Sequence, residues 1–228
     1  MHVLFTRPIE DCSEMMLRFQ SLGNRVSHLP LVNVEKIKYE EINFSEYGGI
    51  IFTSANALKF LNIDKLDKNI KCFCVGNHTE KKARSVGFHN TIAAEGNVSN
   101  LKELILQSYE TKNKQLLYVS GEIISVDLDQ QLLNEGFKIK RIINYRVNHN
   151  QKFDENFINE LKLNIPDMVY IYSQNSALSF LNFIKIYQTE NLWMNTNLMC
   201  IGEKTSSILN EIKWKKIFLF NPGEEEFL

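Results

Sequence analysis

The sequence has few cysteines, and their spacing matches no metal site. Its 228 residues include four, at positions 12, 72, 74 and 200. None forms a CxxC pair or a Cys/His arrangement with zinc-ligand spacing, so we expect no metal site. Cys72 and Cys74 alternate within an apolar run, which places both on one face of a strand. We interpret the four thiols as free and buried in a reducing cytosol.

The sequence also lacks an excess of charge of either sign. Lys and Arg together number 26, and Asp and Glu number 27, which leaves a formal charge of −1. A general nucleic-acid binder would carry a basic excess, so we expect no nucleic-acid partner. The balance does not exclude a small anionic ligand held by a local cluster.

No long apolar run and no leader sequence are present. The longest uncharged stretch, residues 168–184, is interrupted by six Ser, Asn and Gln residues, which a membrane span would not tolerate. The first residues do not combine a basic region with an apolar stretch, so we predict no signal peptide. These features predict a cytoplasmic protein with no membrane partner.

Several common catalytic signatures are absent. The chain contains no GxGxxG, GxxxxGK[ST], GxSxG or HExxH motif, which removes most support for nucleotide sites, serine hydrolases and zinc proteases. Its five histidines are scattered and lack partners at catalytic spacing. We therefore expect the histidines to lie on the surface or in loops rather than to act as a catalytic base.

Short apolar, β-branched runs alternate with amphipathic helical stretches almost throughout the chain. Apolar residues make up 44% and charged residues 23%, which is typical of a globular protein, and the length suggests one or two domains. Strands buried on both faces and separated by single helices predict an α/β fold with parallel sheets.

An internal repeat predicts the domain organisation. Residues 52–61 align without a gap on 172–181, residues 74–79 align on 200–205, and residues 4–26 match 117–139. One unit of the repeat is out of order along the chain. This order is explained if the first and last segments of the chain form one domain. We predict a discontinuous domain of residues 1–34 plus 148–228 and a second domain of residues 37–144. Linker strands at 31–36 and 142–148 would cross between them.

Small hydroxyl and amide residues follow the predicted strands at six places: Thr6-Arg7-Pro8, Thr53-Ser54, Gly76 to Thr79, Ser120-Gly121, Ser173 to Ser176 and Gly202 to Thr205. Ligands bind at this edge of open parallel sheets, and helix N-termini there suit carboxylates or phosphates. For any one segment, a simple helix cap is the more economical interpretation. Six segments in two similar domains favour an anion-binding cleft.

A family resemblance adds to this interpretation. The matching stretches are 3–8, 50–57, 75–79, 117–121, Asp127-Leu128, 141–145 and 172–177. In this order and spacing they resemble the uroporphyrinogen-III synthase family over nearly the whole chain. The resemblance implies two flavodoxin-like α/β domains with parallel sheets flanked by helices. Relatives usually continue through a longer helix where this sequence ends, after Asn221, so we do not expect that helix.

The resemblance also implies a reaction and its site. Family members are hydro-lyases that close hydroxymethylbilane, a linear tetrapyrrole with eight carboxylates, to uroporphyrinogen III without a cofactor. Tyr145 matches the family's inter-domain tyrosine, and its phenol would donate a hydrogen bond to the leaving hydroxyl. The alternative is a tyrosine packed in the linker. Candidate substrate-binding residues are Arg7, Thr53, Ser54, Asn77, Thr79, Ser120, Gly121, Ser173, Gln174, Lys204 and Thr205.

Two other functions remain open at the level of sequence. A non-enzymatic, two-lobed module that binds small anions would show the same repeated domains. A receiver-like signalling module would need clustered acidic residues after the first strand, where Thr6-Arg7-Pro8 stand instead. As partners of a synthase we expect the linear tetrapyrrole and transient contact with the preceding bilane-forming enzyme. We expect the chain to be a monomer.

Overall fold

The computed structural model describes residues 1–221, and it divides into two compact units. The first unit contains Met1–Asn33 together with the segment from Asn148 on, and the second contains Val34–Val147. The expectation about a helix after Asn221 lies outside the described residues. Within the described residues, no helix is both long enough and apolar enough to span a membrane.

Strands and helices alternate along the chain. The strands are β1 (His2–Phe5), β2 (Arg25–His28), β3 (Val32–Lys36), β4 (Tyr47–Phe52), β5 (Lys71–Val75), β6 (Thr91–Ala94), β7 (Gln115–Gly121), β8 (Ile139–His149), β9 (Met168–Ile171), β10 (Asn197–Ile201) and β11 (Lys216–Phe220). The α-helices are α1 (Ile9–Ser21), α2 (Ala55–Phe60), α3 (Gly76–Ser85), α4 (Val98–Ser108), α5 (Leu128–Asn134), α6 (Glu155–Leu163), α7 (Gln174–Ile186) and α8 (Glu203–Ser206).

The first unit contains a five-stranded sheet in the order β11-β10-β9-β1-β2, with every neighbouring pair parallel. One face packs against α6 and α7 around Leu4, Val169 and Phe180. The other face packs against α1 around Phe5 and Tyr170. Both faces are covered, as a parallel sheet requires.

The second unit contains a six-stranded sheet in the order β3-β8-β7-β4-β5-β6. The pairs from β8 to β6 are parallel. Helices α2 and α3 cover the face that carries Ile50 and Phe52, and α4 and α5 cover the face that carries Ile51 and Phe73. The predicted α/β class, with parallel sheets flanked by helices, is confirmed.

The two sheets have the same spatial order and differ in where the chain enters. In spatial order, β2-β1-β9-β10-β11 of the first unit corresponds to β8-β7-β4-β5-β6 of the second. In the first unit the chain visits these positions in the 2-1-3-4-5 order of flavodoxin. In the second unit it visits the last three positions first. The out-of-order repeat in the sequence is therefore a circular permutation.

Strand register corrects one of the repeat alignments. Leu117 pairs with Ile50, and Leu4 pairs with Val169. Since Leu4 corresponds to Leu117, Ile50 corresponds to Val169, and the gapless alignment of 52–61 on 172–181 is wrong by one residue. A strand buried on both faces has no apolar/polar alternation that would fix its register in a sequence comparison.

The segments predicted as linkers are both extended. β3 covers most of residues 31–36, β8 runs through residues 142–148, and the two strands are neighbours in one sheet. A hinge at these segments stays a prediction.

Candidate functional site

Each sheet has a topological switch point, here called its crevice, at the carboxyl ends of two central strands. In the second unit the chain leaves the neighbouring strands β7 and β4 towards α5 and α2, which cover opposite faces. In the first unit it leaves β1 and β9 towards α1 and α7, again on opposite faces. Ligands of open α/β sheets bind at such switch points. The strand-end residues predicted from sequence therefore fall into groups inside and outside these two crevices.

Tyr145 lies against Gly121 in the second unit. A Cβ atom at position 121 would be 2.8 Å from Cζ and 3.0 Å from the hydroxyl oxygen of Tyr145, so the ring occupies the space that a side chain would need. The ring also packs in the apolar core beneath α2, and only 8% of the residue is exposed. A residue without a side chain is thus required where β7 ends.

Burial raises the pKa of the Tyr145 phenol, and hydrogen bonds from the Ser54 hydroxyl and the Gly121 backbone partly offset that rise. Hydrogen bonds that lower a phenol pKa are those donated to its oxygen. The phenol is therefore protonated at neutral pH.

Ser54 and Thr53 link this group to α2 and β7. Ser54 is the N-cap of α2, and its Oγ accepts a hydrogen bond from the backbone N–H of Asn56 at 3.2 Å. The hydroxyls of Thr53 and Tyr118 are 3.2 Å apart. Burial raises the pKa of Tyr118 as well, although its hydrogen bond to Thr53 acts the other way.

Arg141 secures the end of β7 and was not singled out as a site residue from the sequence. Its Nε donates to Ser120 Oγ at 2.7 Å, and its Nη2 donates to the carbonyl oxygen of Gly121 at 2.9 Å. Ser120 is buried, and its hydroxyl also donates to the Gly121 carbonyl oxygen. Ser120 therefore shapes the crevice from beneath. Its only signal in the sequence was its place at the start of the family-matching stretch 141–145.

The crevice of the first unit contains Arg7. Its guanidinium carbon lies 4.6 Å from the centroid of the Tyr172 ring, which is a cation–π arrangement. The preceding Thr6 is fully buried and donates to the carbonyl oxygen of Tyr170 at 2.6 Å. Thr6 is the residue after β1, and its bond ties the end of that strand to β9.

Ser173 is the N-cap of α7 in the same crevice. Its Oγ accepts from the backbone N–H of Ser176 at 3.0 Å, which is the same capping role that Ser54 has in the second unit. The next residue, Gln174, is exposed. These two residues and Arg7 follow adjacent strands, so their sequence segments meet at one sheet edge.

The remaining candidates follow β5 and β10, outside the two crevices. Thr79 and Thr205 are buried, with 5% and 4% exposure, whereas Asn77 and Lys204 are exposed. Both turns begin with a glycine at positive φ, 73° at Gly76 and 68° at Gly202. Among the described residues, no hydrogen bond joins Asn77 or Thr79 to the groups around Tyr145 in the second unit. None joins Lys204 or Thr205 to the groups around Arg7 in the first unit. Residues 1–221 contain no cluster of three metal-ligating side chains.

Comparisons with known proteins agree with this architecture. The family model described as uroporphyrinogen-III synthase HemD matches residues 13–219. The porphyrin biosynthesis protein HemD of Ruminiclostridium josui is 28% identical over 224 residues, which is 90% of this chain and 42% of that protein. The chain thus spans less than half of this curated relative.

Two solved structures share the fold. Uroporphyrinogen-III synthetase from Helicobacter pylori superposes with a TM-score of 0.62 at 19% identity and covers 95% of this chain and 91% of its own. A mutant uroporphyrinogen III synthase from Thermus thermophilus gives a TM-score of 0.57 at 14% identity, with the same coverage of both chains. At these identities the likeness concerns the fold alone.

Proposed function

Because the chain belongs to the uroporphyrinogen-III synthase family, we propose that it closes hydroxymethylbilane to uroporphyrinogen III in tetrapyrrole (haem) biosynthesis. Ring D is inverted and one water is lost, so the enzyme is a hydro-lyase. The observation that carries the proposal is the protonated Tyr145 phenol held against Gly121 and Ser54 at a sheet switch point.

The reaction needs positioning more than strong acid–base groups. The pyrrole nitrogen of the bilane can itself expel the hydroxyl, and the free bilane tends to close without inversion. The enzyme must hold a conformation in which the substituted carbon of ring D is attacked, through a spiro intermediate. Positioned donors and a shaped site supply such catalysis without a cofactor. This requirement agrees with a site built of hydroxyls, amides and one phenol.

Tyr145 is the proposed catalytic residue. Ser54 Oγ accepts from the Asn56 backbone, so its own hydroxyl proton is free to be donated to the Tyr145 oxygen. The Tyr145 proton is then directed to the leaving hydroxyl of the bilane, where it stabilises the negative charge that develops as the C–O bond breaks. A raised pKa keeps this proton in place at neutral pH.

The substrate's carboxylates need cationic and N–H partners. Arg7 supplies a guanidinium already oriented by the Tyr172 ring. The first turns of α3 and α7, with Asn77 and with Ser173 and Gln174, supply backbone N–H groups at positive helix ends. We propose that these groups, with Lys204 in the first unit and Thr53 in the second, bind the carboxylate side chains. The buried Ser120, Thr79 and Thr205 would support the turns that hold these groups.

We also propose that the enzyme works in the cytoplasm as a monomer that receives the bilane by transient contact with the bilane-forming enzyme. The four cysteines are free thiols, which is usual in a reducing compartment. Sedimentation with and without the bilane-forming enzyme tests the monomer and the contact. A stable dimer would contradict the monomer.

The isomer ratio of the product tests the proposed function. Bilane is generated freshly and incubated with the chain in a chelating buffer, and the uroporphyrinogen isomers are separated after oxidation. We expect the type III isomer to replace type I as the enzyme concentration is raised. Type I product at the spontaneous rate, with or without bilane binding, would overturn the proposal, and binding alone would support an anion-binding module.

A further inference from the structure

Strand β8 contains an extra residue immediately before Tyr145. Ser120 of β7 pairs with Ile143, but the next residue, Gly121, pairs with Tyr145. Asn144 therefore has no partner on β7 in this register. A β-bulge of this kind inserts one residue into a strand and changes the direction of the side chains that follow it.

The two faces of β8 show the effect of this bulge. Ile142 and Tyr145 are three residues apart and would point to opposite faces of a regular strand. Both nevertheless pack in the core beneath α2, together with Val147. If β8 were regular over the same sequence, Tyr145 would point towards the other core, which contains Ile139. The bulge is thus what brings the phenol to the Ser54 side of the sheet.

Asn144 also ties the bulge to α2. Its side chain is fully buried, and its Nδ2 donates to the carbonyl oxygen of Ala57 at 2.7 Å. Ala57 lies in the first turn of α2, and Ser54 is the N-cap of that helix. One amide therefore fixes the strand that carries the phenol against the helix that carries the phenol's partner.

Burying the Asn144 amide has a cost in folding free energy that a role in packing alone does not explain. Asn144 Oδ1 is buried and has no hydrogen-bond partner among the residues that the structure describes. Buried polar atoms are nearly always paired, and an unpaired one opposes folding. An apolar residue would fill this place without that cost, but it would lose the bond to Ala57.

We infer that Asn144 is a positioning residue that sets the Tyr145 phenol for the reaction, because its side chain anchors the bulge to α2. This inference rests on the proposed function, because it requires Tyr145 to act on the bilane. Asn144 itself does not touch the substrate.

The test is a double-mutant cycle of Asn144→Ala and Tyr145→Phe, measured as kcat and KM for bilane. A misplaced catalytic group costs up to about 100-fold, so we expect Asn144→Ala to lower kcat by between about 10- and 100-fold. We expect KM and the type III product to be retained. In the Tyr145→Phe protein the same change should reduce kcat by less than about twofold, because coupled residues are not additive.

Asn197→Ala is the matched control. Asn197 begins β10 in the other unit and also carries a buried amide oxygen without a partner among residues 1–221. We expect this variant to keep its kcat. If Asn144→Ala does not fold, Asn144→Ser replaces it in the cycle.

The outcomes separate the two proposals. An equal loss of kcat in both backgrounds, or no loss in a folded Asn144 variant, would overturn the role of Asn144 while the wild type still makes type III product. A Tyr145→Phe protein as active as the wild type would also overturn it. A wild type that makes no type III product would instead be a failure of the proposed function.

Discussion

At the scale of single residues, the site depends on one position without a side chain. Gly121 does not have a positive φ, so its backbone would accept any residue. Its requirement for glycine comes from the Tyr145 ring, which lies within 3.0 Å of where Cβ would be. The chemistry of Tyr145 and the identity of residue 121 are therefore linked.

Gly121→Ala should displace the Tyr145 ring. Overpacking of this kind costs about 1–3 kcal/mol of folding stability, and the displaced phenol should lower turnover. Urea denaturation and initial rates measure the two effects. In a Tyr145→Ala background the added methyl group has room, so the stability loss should disappear. A loss of the same size in both backgrounds would show that the clash is elsewhere.

Sequence reasoning found the residues that follow strands but not those that hold them. Thr53, Ser54, Ser120 and Gly121 were predicted because parallel strands end at one edge. Arg141 and Asn144 act on backbone carbonyls far away in sequence, Gly121 for the first and Ala57 for the second. No local side-chain pattern in the sequence predicts such a bond.

At the scale of elements, corresponding helices begin with the same cap. Ser54 and Ser173 each accept a hydrogen bond from the first turn of α2 and α7. These caps give the correct repeat alignment, which apolar strand residues could not. The caps differ in one respect, since Ser54 also hydrogen-bonds Tyr145.

Removing the two caps should therefore have equal effects on stability and unequal effects on rate. Ser54→Ala and Ser173→Ala should each cost about 1 kcal/mol, and only Ser54→Ala should lower kcat. Asp154→Ala is the control, because Asp154 caps α6 at the opposite end of the sheet by accepting from Phe157 at 2.9 Å. Melting curves measure the loss of stability in each variant, and steady-state rates measure its kcat. An unchanged kcat in Ser54→Ala would remove Ser54 from the mechanism.

At the scale of the whole molecule, the internal sequence repeat accounts for the strand order of both sheets. Two copies of one five-stranded order, one of them permuted, account for both parallel sheets. The permutation was visible in the sequence as one unit out of order, because each strand–helix unit keeps its own motif. The sequence predicted β3 only as a linker strand within 31–36, and it did not predict that this strand joins the second sheet beside β8 as a sixth strand.

The first unit contains two protonated, buried thiols, so its fold should weaken in alkali. Burial raises the pKa of Cys12 to about 11 and of Cys200 to about 12. In the unfolded chain these thiols ionise near pH 8.5, so their contribution is complete below that pH and is lost as pH rises towards the folded values. Each should remove roughly 2 kcal/mol by pH 10.

Urea denaturation at pH 8 and at pH 10 measures this loss. Replacing both thiols with alanine should lower stability at both values but flatten the difference between them. The same difference in the wild type and the double variant would mean that other groups control alkaline stability.

The central claim is that the Tyr145 phenol assists departure of the bilane hydroxyl while the shape of the site selects the isomer. Turnover of Tyr145→Phe tests it against Tyr109→Phe, a tyrosine of similar burial whose hydroxyl donates to the Lys114 carbonyl oxygen at 2.7 Å. We predict that Tyr145→Phe lowers kcat by up to about 100-fold with type III still the product, and that Tyr109→Phe leaves kcat unchanged. A folded Tyr145→Phe enzyme with wild-type turnover would contradict the claim.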